Sequence, residues 1–281
     1  MAQLKQKHKS HEMGLHKEKL TGRTRRAFFS AQEEENLLDP SACEVDFGKQ
    51  ASFDAAQMNH REVGLRIRQL MEQGYGHIVV QNPNAKHSLG ICILNRLKLD
   101  FEGSLGYFAA GLVDGPNITI KGRVGWSCGE NMLSGTVVVE KNAGSSFGAA
   151  IRGGDLVCRR DAGARTGISM KSGTIIVGGR SGILSGFMMQ RGRIIILGDV
   201  GADLGDSMYD GTIYVGGKIK SLGTDAVPGE MTELEVTWLQ RKLALYDLEA
   251  PNGVSNLQKV VAGKQLWNYD NLEPSEKKIV L

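Results

Sequence analysis

The stretch Gly163-Ala-Arg-Thr-Gly167-Ile-Ser-Met-Lys-Ser-Gly173-Thr-Ile-Ile-Val177 has three glycines at fixed intervals, followed by an apolar, β-branched triplet. The same pattern recurs at a constant spacing on both sides of this stretch, with Gly144 and Gly182 in the place of Gly163. Such a period indicates a solenoid, in which each repeat stacks on the next. Because residues in an extended strand rise about 3.3 Å each, one repeat spans about 60 Å. That length is enough for one full turn of a β-helix.

Three glycine columns define the repeat, which has the form G-x3-G-x5-G. Glycine accepts positive φ and lets neighbouring coils approach closely, so these residues are predicted to form the corners of the coils. The copy that begins at Gly106 is degenerate, and a further copy after Gly201 would need glycine where Lys220, Thr224 and Glu230 stand. We therefore predict about six 19-residue coils within residues 103–226. The structural glycines are Gly125, Gly144, Gly163, Gly182 and Gly201 in the first column, Gly129, Gly148, Gly167, Gly186 and Gly205 in the second, and Gly135, Gly154, Gly173, Gly192 and Gly211 in the third.

The composition agrees with an ordered repeat. Glycine makes up 37 of 281 residues but proline only 6, which is not the Pro- and Gly-rich composition of a disordered chain. Aromatic residues are 6% of the chain, so the core must be built mostly from aliphatic side chains. The glycine content therefore indicates rigid corners rather than flexibility.

One further column of the repeat is expected to face inward. Met132, Ile151, Met170, Met189 and Met208 share one position of the repeat, and we expect them to form a buried ladder. A row of sulfur ligands for a soft metal is the alternative, but Ile151 interrupts it.

The apolar triplets alternate between the two faces of the sheet, so their first and third residues should point inward. Their middle residues should then point outward, although a sheet face in water is normally polar. We therefore predict that this face is covered by a partner protein, in preference to the chain's own N-terminal segment. The candidate interface residues are Val138, Val157, Ile176, Ile195 and Tyr214.

The N-terminal third has two parts. Residues 1–41 form a basic arm without apolar periodicity, which is expected to be mobile or bound to a partner. A metal site from His8, His11 and His16 with Glu12 is conceivable there, but nearby lysines would repel a cation. Residues 42–102 lead into the solenoid, with an amphipathic helix over 59–73 capped by Asn59 and a short strand from His77 to Val80.

The C-terminal segment, residues 227–281, is predicted to contain a second amphipathic helix over 231–248 and an extended tail. This helix should cap the open end of the solenoid or dock on another subunit. Its expected apolar side is Leu234, Trp238, Leu239, Leu243 and either Leu245 or Tyr246. Leu266, Trp267 and Tyr269 are candidate anchors of the tail.

Charge and cysteine spacing limit the possible functions. The formal net charge of +3 is too balanced to favour nucleic acid or a membrane surface. Cys43, Cys92, Cys128 and Cys158 form no CxxC pair, so neither a zinc site nor an iron–sulfur site is predicted. No apolar run approaches the length of a membrane-spanning helix and no signal peptide is evident, so we expect a cytoplasmic protein.

The repeats contain no recognisable catalytic set. All six histidines precede residue 88, and no dinucleotide fingerprint occurs. The string G-x-S-x-G occurs around Ser127 and Ser146, but both copies belong to the glycine columns and no histidine follows either. We assign no catalytic, cofactor-binding or metal-binding residue to this chain. Four late acidic residues, Asp199, Asp203, Asp206 and Asp210, are expected in turns or in contact with a partner.

The repeat G-x3-G-x5-G followed by a β-branched triplet resembles the GXGXG family. That family includes the C-terminal β-helix domain of the glutamate synthase large subunit, its stand-alone relatives and the β-helix subunit of formylmethanofuran dehydrogenase. The resemblance covers about residues 42–248. The stretches from Gly129 to Val139 and from Gly201 to Ala226 look most like the stand-alone glutamate synthase-like subunits, such as those of N-methylglutamate synthase.

The resemblance implies a right-handed parallel β-helix with a scaffold role in a hetero-oligomer. It implies two partners: an amidotransferase-like subunit and a glutamate synthase-like subunit that holds FMN and an iron–sulfur cluster. It carries no catalytic residue onto this sequence, and Cys43 is not the N-terminal nucleophile of an amidotransferase. The alternative implied by the same family is the β-helix subunit of a formylmethanofuran dehydrogenase or formyltransferase/hydrolase complex.

Overall fold

A computed structural model describes residues 43–263. The predicted basic arm and the tail anchors Leu266, Trp267 and Tyr269 lie outside this range. One sheet of eleven strands runs along the molecule in the order β1 to β9, followed by β11 and β10. The strands are β1 (Asp46–Asp54), β2 (Tyr75–Gln81), β3 (Lys98–Glu102), β4 (Asn117–Ile120), β5 (Thr136–Val139), β6 (Asp155–Cys158), β7 (Thr174–Val177), β8 (Arg193–Ile196), β9 (Thr212–Val215), β10 (Ala226–Gly229) and β11 (Gln258–Ala262).

Strands β1 to β9 are parallel and form a β-solenoid. The strands from β3 to β9 keep one constant spacing, with Lys98 opposite Asn117 at the start and Arg193 opposite Thr212 at the end. The regular solenoid therefore has about seven turns, one for each of these strands. The prediction of a parallel β-helix is confirmed, with one turn more than expected. The extra turn begins before the glycine columns, where no glycine pattern marks it.

Within residues 43–263, two helices flank the strands. Helix α1 (His60–Glu72) begins at a capping box in which Asn59 accepts backbone hydrogen bonds and Glu62 accepts one from Asn59. Its buried face is Val63, Ile67, Leu70 and Met71, as predicted, and Gly74 follows it with φ of +81°. Helix α2 (Glu233–Ala244) begins at a second capping box, from Thr232 and Glu235. A single 3-10 turn (Val254–Asn256) lies between α2 and β11.

The core follows the predicted columns. The first and third residues of each triplet, such as Val137 and Val139, are fully buried inside the solenoid. The methionine ladder is buried as well, from Met132 to Met208. These inward columns form one continuous cluster that also includes the buried face of α1.

The glycine columns have two different roles. In the second and third columns φ is positive, as at Gly167 (+71°) and Gly173 (+87°). In the first column the constraint is space, because a Cβ on Gly163 would lie 2.6 Å from the backbone nitrogen of Ser145 in the preceding coil. The sequence predicts both roles, and the third column combines them, because a Cβ on Gly154 would lie 2.5 Å from the Gly135 carbonyl oxygen of the preceding coil.

The sequence prediction for helix α2 is partly wrong. The extended tail contains β11, which pairs antiparallel with β9 and β10. Strand β11, not α2, therefore continues the sheet at the end of the solenoid. Leu234 and Leu245 are 84% and 67% exposed, so they do not belong to the apolar side of α2, whereas Leu239, Leu243 and Tyr246 are buried.

Candidate interaction surfaces

The outward apolar column packs against the chain's own C-terminal segment. Val157, Ile176, Ile195 and Tyr214 are fully buried, and Val138 is half-buried. They form a second hydrophobic cluster, separate from the solenoid interior, with Leu239, Leu243, Tyr246 and Leu257. The prediction that this face is covered is confirmed.

The predicted cover for these five residues is wrong. Neither a partner nor the N-terminal segment is needed, because α2 itself spans the column. Its 12 residues extend about 18 Å at 1.5 Å per residue. The column from Val157 to Tyr214 covers three coil steps, or about 14 Å at about 4.8 Å per strand. The helix therefore matches the length of the apolar stripe.

One polar anchor holds α2 to the solenoid at Asp155. Lys242 Nζ lies 2.8 Å from Asp155 Oδ2, and the Tyr246 hydroxyl donates a hydrogen bond to the same oxygen. Burial and this hydrogen bond raise the pKa of Tyr246 above its ordinary value. The phenol therefore remains a neutral donor at physiological pH. Close by, Arg193 stacks over the ring of Trp238 at 4.6 Å.

A second polar anchor lies at Glu235, which also belongs to the capping box of α2. The Tyr214 hydroxyl donates to its carboxylate at 2.7 Å, and Lys259 of β11 lies 2.8 Å away. Burial raises the pKa of Glu235, but the hydrogen bonds from Lys259, the Thr232 backbone and Tyr214 outweigh it and lower the pKa to about 2. This carboxylate is ionised and links α2, β9 and β11.

A second side of each coil carries half-buried and exposed side chains among buried ones. We call it the turn face, and it comprises residues 107–114, 126–133, 145–152, 164–171, 183–190 and 202–209. Backbone hydrogen bonds stack its coils, as from Ser146 to Ala164 and from Arg165 to Ile183. Several non-glycine residues in these turns have positive φ, including Ser127, Ser146 and Leu184.

An aromatic stack crosses the first coils of the turn face. The rings of His87 and Tyr107 lie 4.6 Å apart, and those of Tyr107 and Trp126 lie 5.5 Å apart. Trp126 is 58% exposed. Other large apolar side chains are exposed in the first coils: Ile91, Leu94, Phe108, Leu112 and Leu133.

The polar residues singled out in the sequence have structural roles. Asp199, Asp203 and Asp206 each accept a hydrogen bond from the next coil, and Asp210 accepts one from Gly211. Their placement in turns is confirmed. Ser127 and Ser146 lie in stacked coil turns that no helix follows, which is not the setting of a nucleophile elbow.

The thiols do not suit a redox or metal site. Cys128 and Cys158 are buried, and burial raises the pKa of both, that of Cys158 to about 11. Iron–sulfur clusters need several thiolates together, and in residues 43–263 no three histidine, cysteine or acidic side chains lie close enough to hold a metal. The donor set of the described chain therefore does not fit an iron–sulfur cluster.

Two polar clusters escaped the sequence analysis. His77 Nε2 lies 2.7 Å from Asp100 Oδ2 on the outer face of β2 and β3. Inside the solenoid, Ser181 bonds to both Thr166 and Ser185, all three buried. The pairs His77–Asp100 and Thr166–Ser181 join residues of different coils, and only knowledge of the coil register could have revealed them.

Comparison with known proteins identifies the family. A model of the GXGXG motif matches residues 59–250, which is more than half of the chain. The chain belongs to the GXGXG family. It is also 40% identical over 60 residues to Protein GlxC of Rhizobium meliloti (strain 1021). That match covers 21% of this chain and 26% of the relative, so the chain spans about a quarter of the length of the curated relative it matches.

The part of this GXGXG protein that the structure describes contains no helix long and apolar enough to cross a membrane.

Proposed function

We propose that this GXGXG chain is a non-catalytic scaffold subunit of a glutamate synthase-like complex. The observation that carries the proposal is the family match from residue 59 to 250, which covers all seven regular turns of the solenoid. A second support is that the partly buried carboxylates of Asp155 and Glu235 bind the C-terminal segment to the solenoid, which is a structural role.

We further propose that the complex is N-methylglutamate synthase, which forms N-methylglutamate and ammonia from methylamine and glutamate. In this proposal an amidotransferase-like subunit and a subunit with FMN and an iron–sulfur cluster carry the chemistry. The exposed Trp126 and the other large apolar side chains exposed in the first coils support a role in assembly, because exposed apolar surface is typical of protein–protein contacts.

The test is purification of the native complex through a tag on this chain, followed by identification of its subunits and cofactors. We expect an amidotransferase-like chain, an FMN and iron–sulfur chain, and N-methylglutamate formation from methylamine and glutamate. A complex that contains a formyl-transferring or metal-hydrolase chain would overturn the proposal and favour the formylmethanofuran dehydrogenase type. Turnover of a substrate by the isolated chain would overturn the non-catalytic role.

A further inference from the structure

Helix α2 carries large apolar residues on the side that does not pack on the sheet. Leu234 lies in its first turn and is the most exposed of the large apolar side chains in residues 43–263. Leu245 follows its last turn and is also exposed. Neither leucine belongs to the hydrophobic cluster that α2 forms with the sheet. At 1.5 Å per residue they lie about 16 Å apart along the helix.

This side of α2 has the spacing of a coiled-coil seam. Its residues follow one another at intervals of four, three and four, and we call them the α2 stripe: Leu234, Trp238, Arg241 and Leu245. Positions d, a, d and a of a heptad have the same intervals and lie along one side of a helix. Arg241 is exposed, and Trp238 is half-buried.

The α2 stripe is complementary to itself when two copies run antiparallel. Reversal of one helix brings Leu234 opposite Leu245 of the other, and Trp238 opposite Arg241. The first pair is an apolar contact, and the second joins an aromatic ring to a guanidinium group, which attract each other. Because the two helices are identical, each pair occurs twice. A two-fold symmetric contact between identical subunits requires a surface that complements itself in this way.

The charges of α2 favour the same direction. Its first turn carries the exposed acid Glu233, and its last turn carries the exposed base Arg241. An antiparallel neighbour places each acidic end beside a basic end and brings opposite ends of the two helix dipoles together. A parallel neighbour would instead bring like charges together at both ends, which is unfavourable.

We propose that the α2 stripe binds the α2 stripe of a second copy of this chain, as an antiparallel helix pair with two-fold symmetry. One side of this 12-residue helix is about 18 Å long and about 10 Å across. Such a contact is small against the about 800 Å² per partner of a standard interface, so its dissociation constant should lie in the micromolar range. The proposal does not depend on the proposed function, because it concerns only copies of this chain.

Sedimentation equilibrium of the full chain, from about 1 to about 200 μM, tests the association. We expect a monomer–dimer equilibrium for the wild type. Leu234→Glu and Leu245→Lys each place a charge opposite a leucine twice in the dimer, so each should weaken it about tenfold or more. Each new charge suits the helix dipole at its end of α2, so both variants should remain folded, as circular dichroism verifies.

Leu65→Glu is the matched control, because Leu65 is an exposed leucine of the other helix, α1. It should dimerise like the wild type. A wild-type chain that stays monomeric over the whole concentration range would overturn the proposal. A dimer that the two α2 variants leave unchanged would overturn it as well.

A mixture of Leu234→Glu and Leu245→Lys chains tests the antiparallel register. In a mixed dimer the new carboxylate at position 234 lies opposite the new ammonium group at position 245, and the other end keeps its pair of leucines. We expect the mixture to associate about threefold or more tightly than either variant alone. A parallel pair would gain nothing from mixing, and that result would overturn the proposed arrangement.

A photo-crosslinking amino acid at Thr237, an exposed position beside the α2 stripe, identifies what lies against the helix. We expect a crosslinked dimer joined through residues 239–245 of the second copy. A crosslink to residues 1–42 or 264–281 would overturn the proposal, and so would a crosslink to another subunit in the native complex. Neither of these results would bear on the proposed function.

Discussion

Tyr246 donates a hydrogen bond to Asp155, which precedes it by 91 residues and begins strand β6. Lys242 contacts the same carboxylate, so one acidic side chain in the middle of the solenoid holds the end of α2. The corresponding position is Thr136 on β5 and Thr174 on β7. Asp155 therefore stands between two threonines of neighbouring coils and provides a charged anchor for the C-terminal segment.

Asp155→Ala is expected to lower the free energy of unfolding by about 2–3 kcal/mol, because it leaves a lysine and a phenol partly buried without their acceptor. Tyr246→Phe removes one donor and should cost about 1 kcal/mol. Urea unfolding of each variant measures these changes. Glu249→Ala is the control, since Glu249 is an exposed acid three residues after Tyr246 and should change stability by less than about 0.5 kcal/mol. Equal effects at Asp155 and Glu249 would contradict the anchor.

Glu235 should make stability depend on acid pH. Its pKa is about 2 in the folded chain against an ordinary value of 4.5, so the folded state favours the ionised carboxylate. The resulting stabilisation, about 1–3 kcal/mol, is fully present above pH 5 and is lost as the pH falls towards 2. Urea unfolding at intervals from pH 7 to pH 2.5 measures this loss.

Glu235→Gln should be less stable than the wild type at pH 7 and should approach it near pH 2.5. Glu233→Gln changes an exposed acid on the same turn of α2 and should leave the pH profile unaltered. A wild-type profile that is unchanged by Glu235→Gln would show that the three hydrogen bonds do not stabilise the ionised form.

The constant period of the glycine columns was sufficient to predict the solenoid, because each coil repeats the same local requirements. The glycine columns, the methionine ladder and the inward triplets could all be derived from spacing. The first turns could not be derived from spacing. Gln50 of β1 pairs with His77 of β2, which is a longer interval than that of the repeats, because helix α1 lies between the two strands. Without a repeated spacing, these strands carry no periodic signal.

For a different reason, the sequence could not predict which element covers the outward column. Burial of Ile176 and Ile195 could be predicted from their apolar character, but the identity of the covering element depends on how the chain returns after β9. Pairing of Lys259 with Tyr214 in the antiparallel β11–β9 ladder fixes that return.

Glycine in the first column should tolerate no side chain. A Cβ at Gly163 would lie 2.6 Å from the Ser145 nitrogen and 2.7 Å from the Gly144 carbonyl carbon, and both are backbone atoms that cannot move without shifting a coil. We expect Gly163→Ala to lower the free energy of unfolding by about 2 kcal/mol or more. The midpoint of urea unfolding measures the effect.

Gly64→Ala is the matched control for Gly163→Ala. Gly64 lies inside α1, and a Cβ there would have no atom within 4 Å. Alanine is a better helix former than glycine, so this variant should be more stable by about 0.5–1 kcal/mol. The two identical substitutions should therefore have opposite signs, and a neutral Gly163→Ala would contradict the close contact between coils.

The thiols should differ sharply in reactivity. Cys92 is exposed, whereas Cys128 and Cys158 are fully buried. Alkylation proceeds through the thiolate, and burial raises the pKa of Cys158 to about 11, so that less than about 1% of it is ionised at pH 8. In a Cys43→Ser background, iodoacetamide at pH 8 should therefore modify Cys92 within minutes. Cys128 and Cys158 should react only after unfolding in urea, as followed by intact mass. The further change Cys92→Ser should abolish the fast phase, and rapid labelling of Cys158 in the folded chain would show that its coil opens to solvent.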